Sequence, residues 1–167
     1  MIYERSEDSE LLAKYVEEYA KGKVLDIGTG SGIQAEAALR FTKNVLAVDV
    51  DEESVNYVKK KGIKAKISDL FSNVAGKFDL IIFNPPYLPL DLREPKNSRI
   101  ATTGGLKGSE ITNRFLTQSK KHLAKNGRIF LVSSSLTKGI DFLNFKRKIV
   151  ARKKIFFEEL RVWSLEI

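Results

Sequence analysis

Hydrophobic positions recur along this chain in two alternating periods. Leu11, Leu12, Tyr15, Val16 and Tyr19 fall on one helical face and Gly22 follows as a stop, which predicts an N-terminal helix over about 9–21. Short apolar runs then alternate with helix-like stretches. Strands are expected over 24–27, 45–48 (ending at Asp49) and 65–67, and helices over 33–41 and 52–61, the second stopped by Gly62. A fourth strand is expected over 78–83. Segment 110–125 carries Ile111, Phe115, Ser119 and Leu123 along one side and reads as a helix, and Gly127 leads into a fifth strand over 128–133. Strands alternating with helices imply a parallel sheet covered on both faces. The end breaks that rule. Residues 149–157 and 159–167 read as two strands too close for a helical crossover, so they pair antiparallel. The expectation is one α/β domain over 1–167, a doubly wound sheet of about seven strands, mostly parallel with the last pair antiparallel.

Segment 84–109 has no clear period. It contains Pro85, Pro86, Pro89 and Pro95, every proline of the chain, together with Gly104, Gly105 and Gly108. Loops that long inside a compact domain are uncommon and usually functional. This one leaves the carboxyl end of a central strand, where open α/β sheets bind their ligands, and is expected to be a substrate loop or lid.

Composition narrows the function classes. With 167 residues, 43% hydrophobic and 30% charged, the chain is neither disordered nor fibrous. No apolar run approaches the ~20 residues needed to span a bilayer, and Met1-Ile2-Tyr3-Glu4-Arg5-Ser6 is not a signal peptide, so a cytoplasmic protein without membrane contact is expected. The absence of cysteine excludes disulfides and thiolate chemistry. The single His122 cannot build a histidine metal cluster or a Ser-His-Asp triad by itself, and no metal site is expected. The 29 basic and 21 acidic residues give +8. Much of that excess lies over 138–154, where Lys138, Lys146, Arg147, Lys148, Arg152, Lys153 and Lys154 face one acid, Asp141. Such a patch suits RNA or a ribonucleoprotein-associated partner. A solvated, Lys-rich face is the structural alternative.

Gly28-x-Gly30-x-Gly32, after a strand and before a helix, lets backbone approach a ligand at a helix N-terminus. Nucleotide-binding sheets of several kinds share that loop; its neighbours sharpen it. Asp26, two residues before the first glycine, would repel a pyrophosphate but favour a ligand carrying an ammonium and a sulfonium. S-adenosylmethionine is such a ligand. Asp49, 17 residues past Gly32, is near the spacing of a ribose-binding acid. Asp69 and Leu70 follow the third strand and could accept from an adenine amine and pack on its ring. Each Asp alone could be a turn or cap residue; together at three strand ends they outline one site.

Asn84-Pro85-Pro86-Tyr87 is the sharpest signal. Proline pushes Asn84 extended, and the prolines supply carbonyls without competing N–H groups. A rigid corner then presents the Asn84 side-chain oxygen and the Pro85 carbonyl, with Tyr87 as a flat wall. That suits an NH2 on a planar carbon: both protons are accepted and the nitrogen lone pair is aimed at a methyl.

Together, Asp26-Ile27-Gly28-Thr29-Gly30-Ser31-Gly32, Asp49, Asp69-Leu70-Phe71 and Asn84-Pro85-Pro86-Tyr87 resemble a class I S-adenosylmethionine-dependent methyltransferase of the amino-methylating kind. More closely, the chain is similar to the HemK/PrmC-like protein-glutamine methyltransferases, which act on the Gly-Gly-Gln loop of translation release factors. Tyr3-Glu4-x-x-Glu7-Asp8-Ser9 resembles the family's opening motif, and Gly104-Gly105-Leu106-Lys107-Gly108 its glycine-rich stretch after the catalytic loop. The resemblance implies a Rossmann-like methyltransferase fold. It implies that Ser9, Asp26, Gly28, Gly30, Gly32, Asp49, Val50, Asp69, Leu70 and Asn84 bind S-adenosylmethionine, leaving S-adenosylhomocysteine as product. Asn84, Pro85, Pro86 and Tyr87 would hold the glutamine amide. Barely twenty residues precede the first strand, which matches the shorter archaeal and eukaryotic branch; its members pair with a small zinc-binding activator along the sheet edge, here the third strand with Lys64 and Lys66. Two rival readings stay open: a DNA or RNA amino-methyltransferase (N6-adenine or N2-guanine), and a cofactor-binding scaffold without catalysis.

Overall fold

The structure, a computed structural model, describes residues 6–167, so Tyr3 and Glu4 of the opening motif lie outside it. Seven strands form one sheet in the order β3-β2-β1-β4-β5-β7-β6. β1 (Lys23–Ile27) lies between β2 (Asn44–Asp49) and β4 (Phe78–Phe83), β3 (Ala65–Ile67) forms one edge, and β5 (Leu123–Ser134) pairs with β4. All of these pairs are parallel. β7 (Glu158–Glu166) runs antiparallel to both β5 and the opposite edge strand, β6 (Lys146–Ile155), as expected for the terminal pair.

Successive side chains of β4 divide between two cores, because strand residues alternate faces. Leu80 and Ile82 pack with Leu12 and Val16 of α1 (Glu7–Tyr19), Ala35 and Ala38 of α2 (Ile33–Leu39), and Val55 and Val58 of α3 (Glu52–Lys60). Ile81 and Phe83 face Phe115 and Leu116 of α5 (Glu110–Ser119), with Leu70 and Phe71 beside them. Burial on both faces explains why β1 and β4 read as near-continuous apolar runs. Three strand ends, those of β1, β2 and β4, therefore stop in register beneath the loops that carry the glycines, Asp49 and Asn84.

Three expectations need correction. The helix expected over 110–125 ends at Ser119; a 3-10 turn spans Lys120–His122, and Leu123 is buried opposite Phe78 as the first residue of β5. Leu123 fits a helical stripe in sequence, yet its pairing with β4 and the left-handed Asn126 (φ 62°) place it in the sheet. Segment 84–109 is not structureless: α4 (Lys96–Thr102) lies within it, and Leu88 bridges Thr103. None of the α4 residues is buried, so no amphipathic stripe announced it. Finally, Phe156 and Phe157, expected within a strand over 149–157, are the two-residue turn between the paired Ile155 and Glu158.

Candidate active site at the carboxyl ends of the strands

A cavity of about 670 Å³ opens where β1, β2 and β4 end. Its floor is the β1–α2 loop. Gly28 and Gly30 line it, each with a left-handed φ (64° and 52°). Gly32 does not line it. With φ 85° it is the N-cap of α2, and a Cβ there would press on Val58, so its glycine serves packing rather than the cavity wall.

Asp26 is buried at the mouth of β1, where the Thr29 hydroxyl donates to its Oδ2 at 2.6 Å. Burial raises its carboxyl to about 7; the Asp49 charge adds to the rise, while the Thr29 hydroxyl and the Ala35 amide oppose it. Asp49 accepts from the Gly30 and Asp51 amides at 2.9 and 3.0 Å, which braces the glycine loop against β2. Its carboxyl is also pushed up, chiefly by burial. Val50 lines the cavity with an exposed side chain, and Leu70, left-handed at φ 50°, lies buried on the other side. Asp69 lines the cavity too, but its carboxylate is already paired with Arg114 of α5 at 2.8 Å. Both partners are half exposed, so that pair contributes little to stability.

Asn84, Pro85, Pro86 and Tyr87 form the wall above β4. The Asn84 amide donates to the Ser9 hydroxyl at 3.3 Å, while its Oδ1 is buried with no hydrogen-bond partner among the described residues. A buried acceptor in that state calls for a donor. Tyr87 is more than a flat wall, since its hydroxyl donates to Asp8 at 2.9 Å and its carbonyl accepts from the Thr137 hydroxyl at 2.8 Å. The glycine-rich stretch packs directly against this turn. A Cβ on Gly104 would fall inside the carbonyl oxygens of Gly108 and Pro86, and one on Gly108 would meet the Tyr87 carbonyl.

Sequence reasoning placed Asp8 in the opening motif without a role and missed Gln34, Arg114 and Thr137. Gln34, in the first turn of α2, is buried, donates to the Ser9 carbonyl at 2.9 Å, and leaves its Oε1 without a partner among the described residues. A glutamine on a helix face otherwise made of Ala35, Ala37 and Ala38 was the available signal. His122 is structural: its ring stacks on Phe71 and its Nδ1 lies 3.0 Å from the Gly76 carbonyl. Among the described residues no cluster of acids and histidine could hold a metal, and no helix is long and apolar enough to cross a membrane.

The methyltransferase small domain family matches residues 6–154. The chain belongs to this family. This methyltransferase is 39% identical to a Methanocaldococcus jannaschii protein provisionally named protein N5-glutamine methyltransferase, over 98% of this chain and 92% of that one. It is 31% identical to the release factor glutamine methyltransferase of Borreliella burgdorferi and 30% to the ribosomal RNA small subunit methyltransferase C of Haemophilus influenzae, spanning 51% and 37% of their lengths. Among solved structures, a chain of the E. cuniculi Mtq2–Trm112 complex, described as responsible for methylation of the eRF1 translation termination factor, superposes with a TM-score of 0.79, 24% identity and coverage of 99% and 98%.

The enzyme is thus an S-adenosylmethionine-dependent methyltransferase with a Rossmann-like fold, and its residues fit that cofactor. Carboxylates suit the cofactor's cation, glycine backbone permits close approach, and the buried Gln34 oxygen is an acceptor without a donor.

Proposed function

We propose that this methyltransferase modifies the side-chain amide of glutamine, in the Gly-Gly-Gln loop of a translation release factor. The orphaned Oδ1 of Asn84 carries this reading: it is an acceptor held at the end of β4 with its own NH2 already committed to Ser9. The M. jannaschii relative supports the glutamine assignment because it matches nearly end to end, whereas the ribosomal RNA relative matches over 37% of its length.

When bound, S-adenosylmethionine supplies a methyl on a positively charged sulfur, which leaves as the neutral thioether of S-adenosylhomocysteine. Asp26 and Gln34 would hold the ammonium end, Ser9 the neighbouring carboxylate region, and Gly28 and Gly30 allow backbone contact. Asp49 with Val50 would take the ribose, and Asp69 with Leu70 the adenine. Asn84 Oδ1 and the Pro85 carbonyl accept the two amide protons and so orient the nitrogen. Pro86 keeps the corner rigid while the Tyr87 ring packs on the amide plane. An amide nitrogen is a poor nucleophile, so alignment at roughly 3–3.5 Å supplies much of the acceleration. Neither lysine nor histidine lines the cavity among the described residues, and the displaced proton leaves late, to water or through the Asn84 site.

The exposed edge β3, three residues long with Ile67 at 47% exposure, would seat a small zinc-binding activator, as in a two-protein methyltransferase complex. A cytoplasmic enzyme acting beside ribosomes would meet RNA along 138–154, where Lys146, Lys148 and Lys154 make no ion pair among the described residues. That same basic edge favours the second reading, methylation of a nucleobase amine. The deciding test is methyl transfer from labelled cofactor to release factor, to factor with the loop Gln replaced by Ala, and to structured RNA and DNA, with and without the activator. Peptide mass spectrometry locating label on the loop glutamine, absent in the Ala form, supports the proposal; label on nucleic acid alone overturns it.

A further inference from the structure

The turn joining β6 to β7 has a composition that folding does not explain. Ile155 pairs with Glu158, so Phe156 and Phe157 alone make the reversal. Two-residue hairpin turns with a left-handed first position favour Gly, Asn or Asp. Here Phe156 occupies it at φ 47°, and a bulky side chain is strained there. Both rings stand in water, 99% and 97% exposed; among the described residues the next most exposed large apolar side chain, Leu92, reaches 77%. Strain and exposure in adjacent residues serve no contact within the described chain.

The tip lies at the same end of the sheet as the cavity, beyond the carboxyl end of β5. At its foot, the Glu158 carboxylate meets the Ser134 hydroxyl, and the Ser135 amide donates to the Glu159 carbonyl at 2.8 Å. Three residues past Ser134, Thr137 holds the Tyr87 carbonyl. On the other side, Tyr15 of α1 donates to the Val150 carbonyl at 2.7 Å, and Lys153 lies 3.6 Å from Glu7, next to Asp8 and Ser9 in the cavity wall. The tip, the start of α1 and the catalytic turn thus share one end of the sheet. The edge β3 lies at the opposite side.

Charge decides what the tip would meet. Arg152, Lys153 and Lys154 approach it, but Glu158 and Glu159 leave it, and Glu159 pairs with Arg152 and Arg161 at 3.3 and 2.8 Å. This mixed foot, its bases interleaved with Glu158 and Glu159, lacks the uninterrupted basic surface that a phosphate backbone favours. A protein surface with mixed charge around an apolar depression is complementary, and paired exposed aromatic side chains are the usual anchors of such contacts. We propose that Phe156 and Phe157 dock the protein substrate, holding the domain that presents the glutamine loop to the cavity. This rests on the protein-glutamine reading above.

The test uses Phe156→Gly/Phe157→Ser and Phe157→Ser alone, the first of which relieves the left-handed strain. With the intact release factor, kcat/KM should fall at least tenfold, mainly through KM, and direct binding of the factor should weaken to match. A short peptide bearing Gly-Gly-Gln should be methylated as by the parent enzyme, with cofactor affinity within twofold and the melting temperature equal or higher. If the parent methylates the factor and both variants do so within twofold, the docking proposal alone is overturned. If the parent labels RNA and never the factor, the glutamine reading and the docking proposal fall together.

Discussion

The Tyr87 hydroxyl donates to the Asp8 carboxylate at 2.9 Å, joining the Asn84–Tyr87 turn after β4 to the first turn of α1 across 79 positions of sequence. Asp8 is buried, and a carboxylate in the first turn of a helix is favoured by the helix dipole. The next residue, Ser9, receives the Asn84 amide. One helix start therefore orients both side chains that flank the proposed amide site.

Removing either end of this link should show in turnover. A hydrogen bond to a charged group contributes about 1.5–3 kcal/mol, so Tyr87→Phe and Asp8→Ala should each lower kcat about ten- to a hundredfold. Because both act on one link, the double variant should be no worse than the more damaged single one. Steady-state kinetics of the three variants checks this; additive losses would mean that the two residues act separately.

Gly104→Ala tests the support beneath the turn. The new Cβ would overlap the Pro86 and Gly108 carbonyls, so the tetrapeptide must shift. A displacement near 1 Å is enough for a loss of about a hundredfold in kcat. Cofactor affinity should stay within a few-fold, because Gly104 lies away from the β1–α2 loop; calorimetric titration beside the activity assay separates the two effects.

The strand–loop–helix order and the three acids at strand ends were legible because each is a local pattern: apolar runs of strand length, glycines at a turn, acids just past it. The tetrapeptide was legible because proline restricts its own backbone and its neighbour's. What stayed hidden depends on distant parts of the chain. Asp69 reads as a ligand acid, but its pairing with Arg114 of α5, 45 positions away, is not local. Gly32 looked like a cavity residue until Val58 was found behind it. Leu123 obeyed a helical period yet pairs with Phe78 in the sheet. The Phe156–Phe157 pair has the apolar character of a strand, and only the Ile155–Glu158 register reveals it as a turn.

Gln34→Leu removes the orphaned oxygen and the donor to the Ser9 carbonyl while nearly preserving volume. Deleting the unsatisfied buried acceptor offsets the loss of that hydrogen bond, about 1 kcal/mol, so stability should change little. Cofactor affinity should fall about tenfold if Oε1 receives the ammonium, the equivalent of one lost hydrogen bond to a charged group. Unchanged affinity in a titration would remove Gln34 from the binding set.

The strongest pH dependence should come from Asp26. Its folded carboxyl titrates at about 7, raised from 3.8 mainly by burial. Without cofactor, the folded state holds this proton more tightly than the unfolded chain does. The group's contribution to stability is therefore greatest below about pH 4 and declines as pH rises towards 7, after which it is flat. Cofactor binding has the opposite sign, because the ammonium needs the ionised carboxylate. The cofactor's α-amino group ordinarily titrates at about 7.7–8.0 and stays charged below that range. Affinity should thus be nearly constant just above pH 7 and weaken below it, with a limiting slope of about tenfold per pH unit. Asp26→Asn should bind weakly at every pH and lose this acid-side slope. Titrations of both proteins between pH 5.5 and 7.5 measure it; an identical slope in the Asn variant would assign the titration to another group and remove Asp26 from the ammonium site.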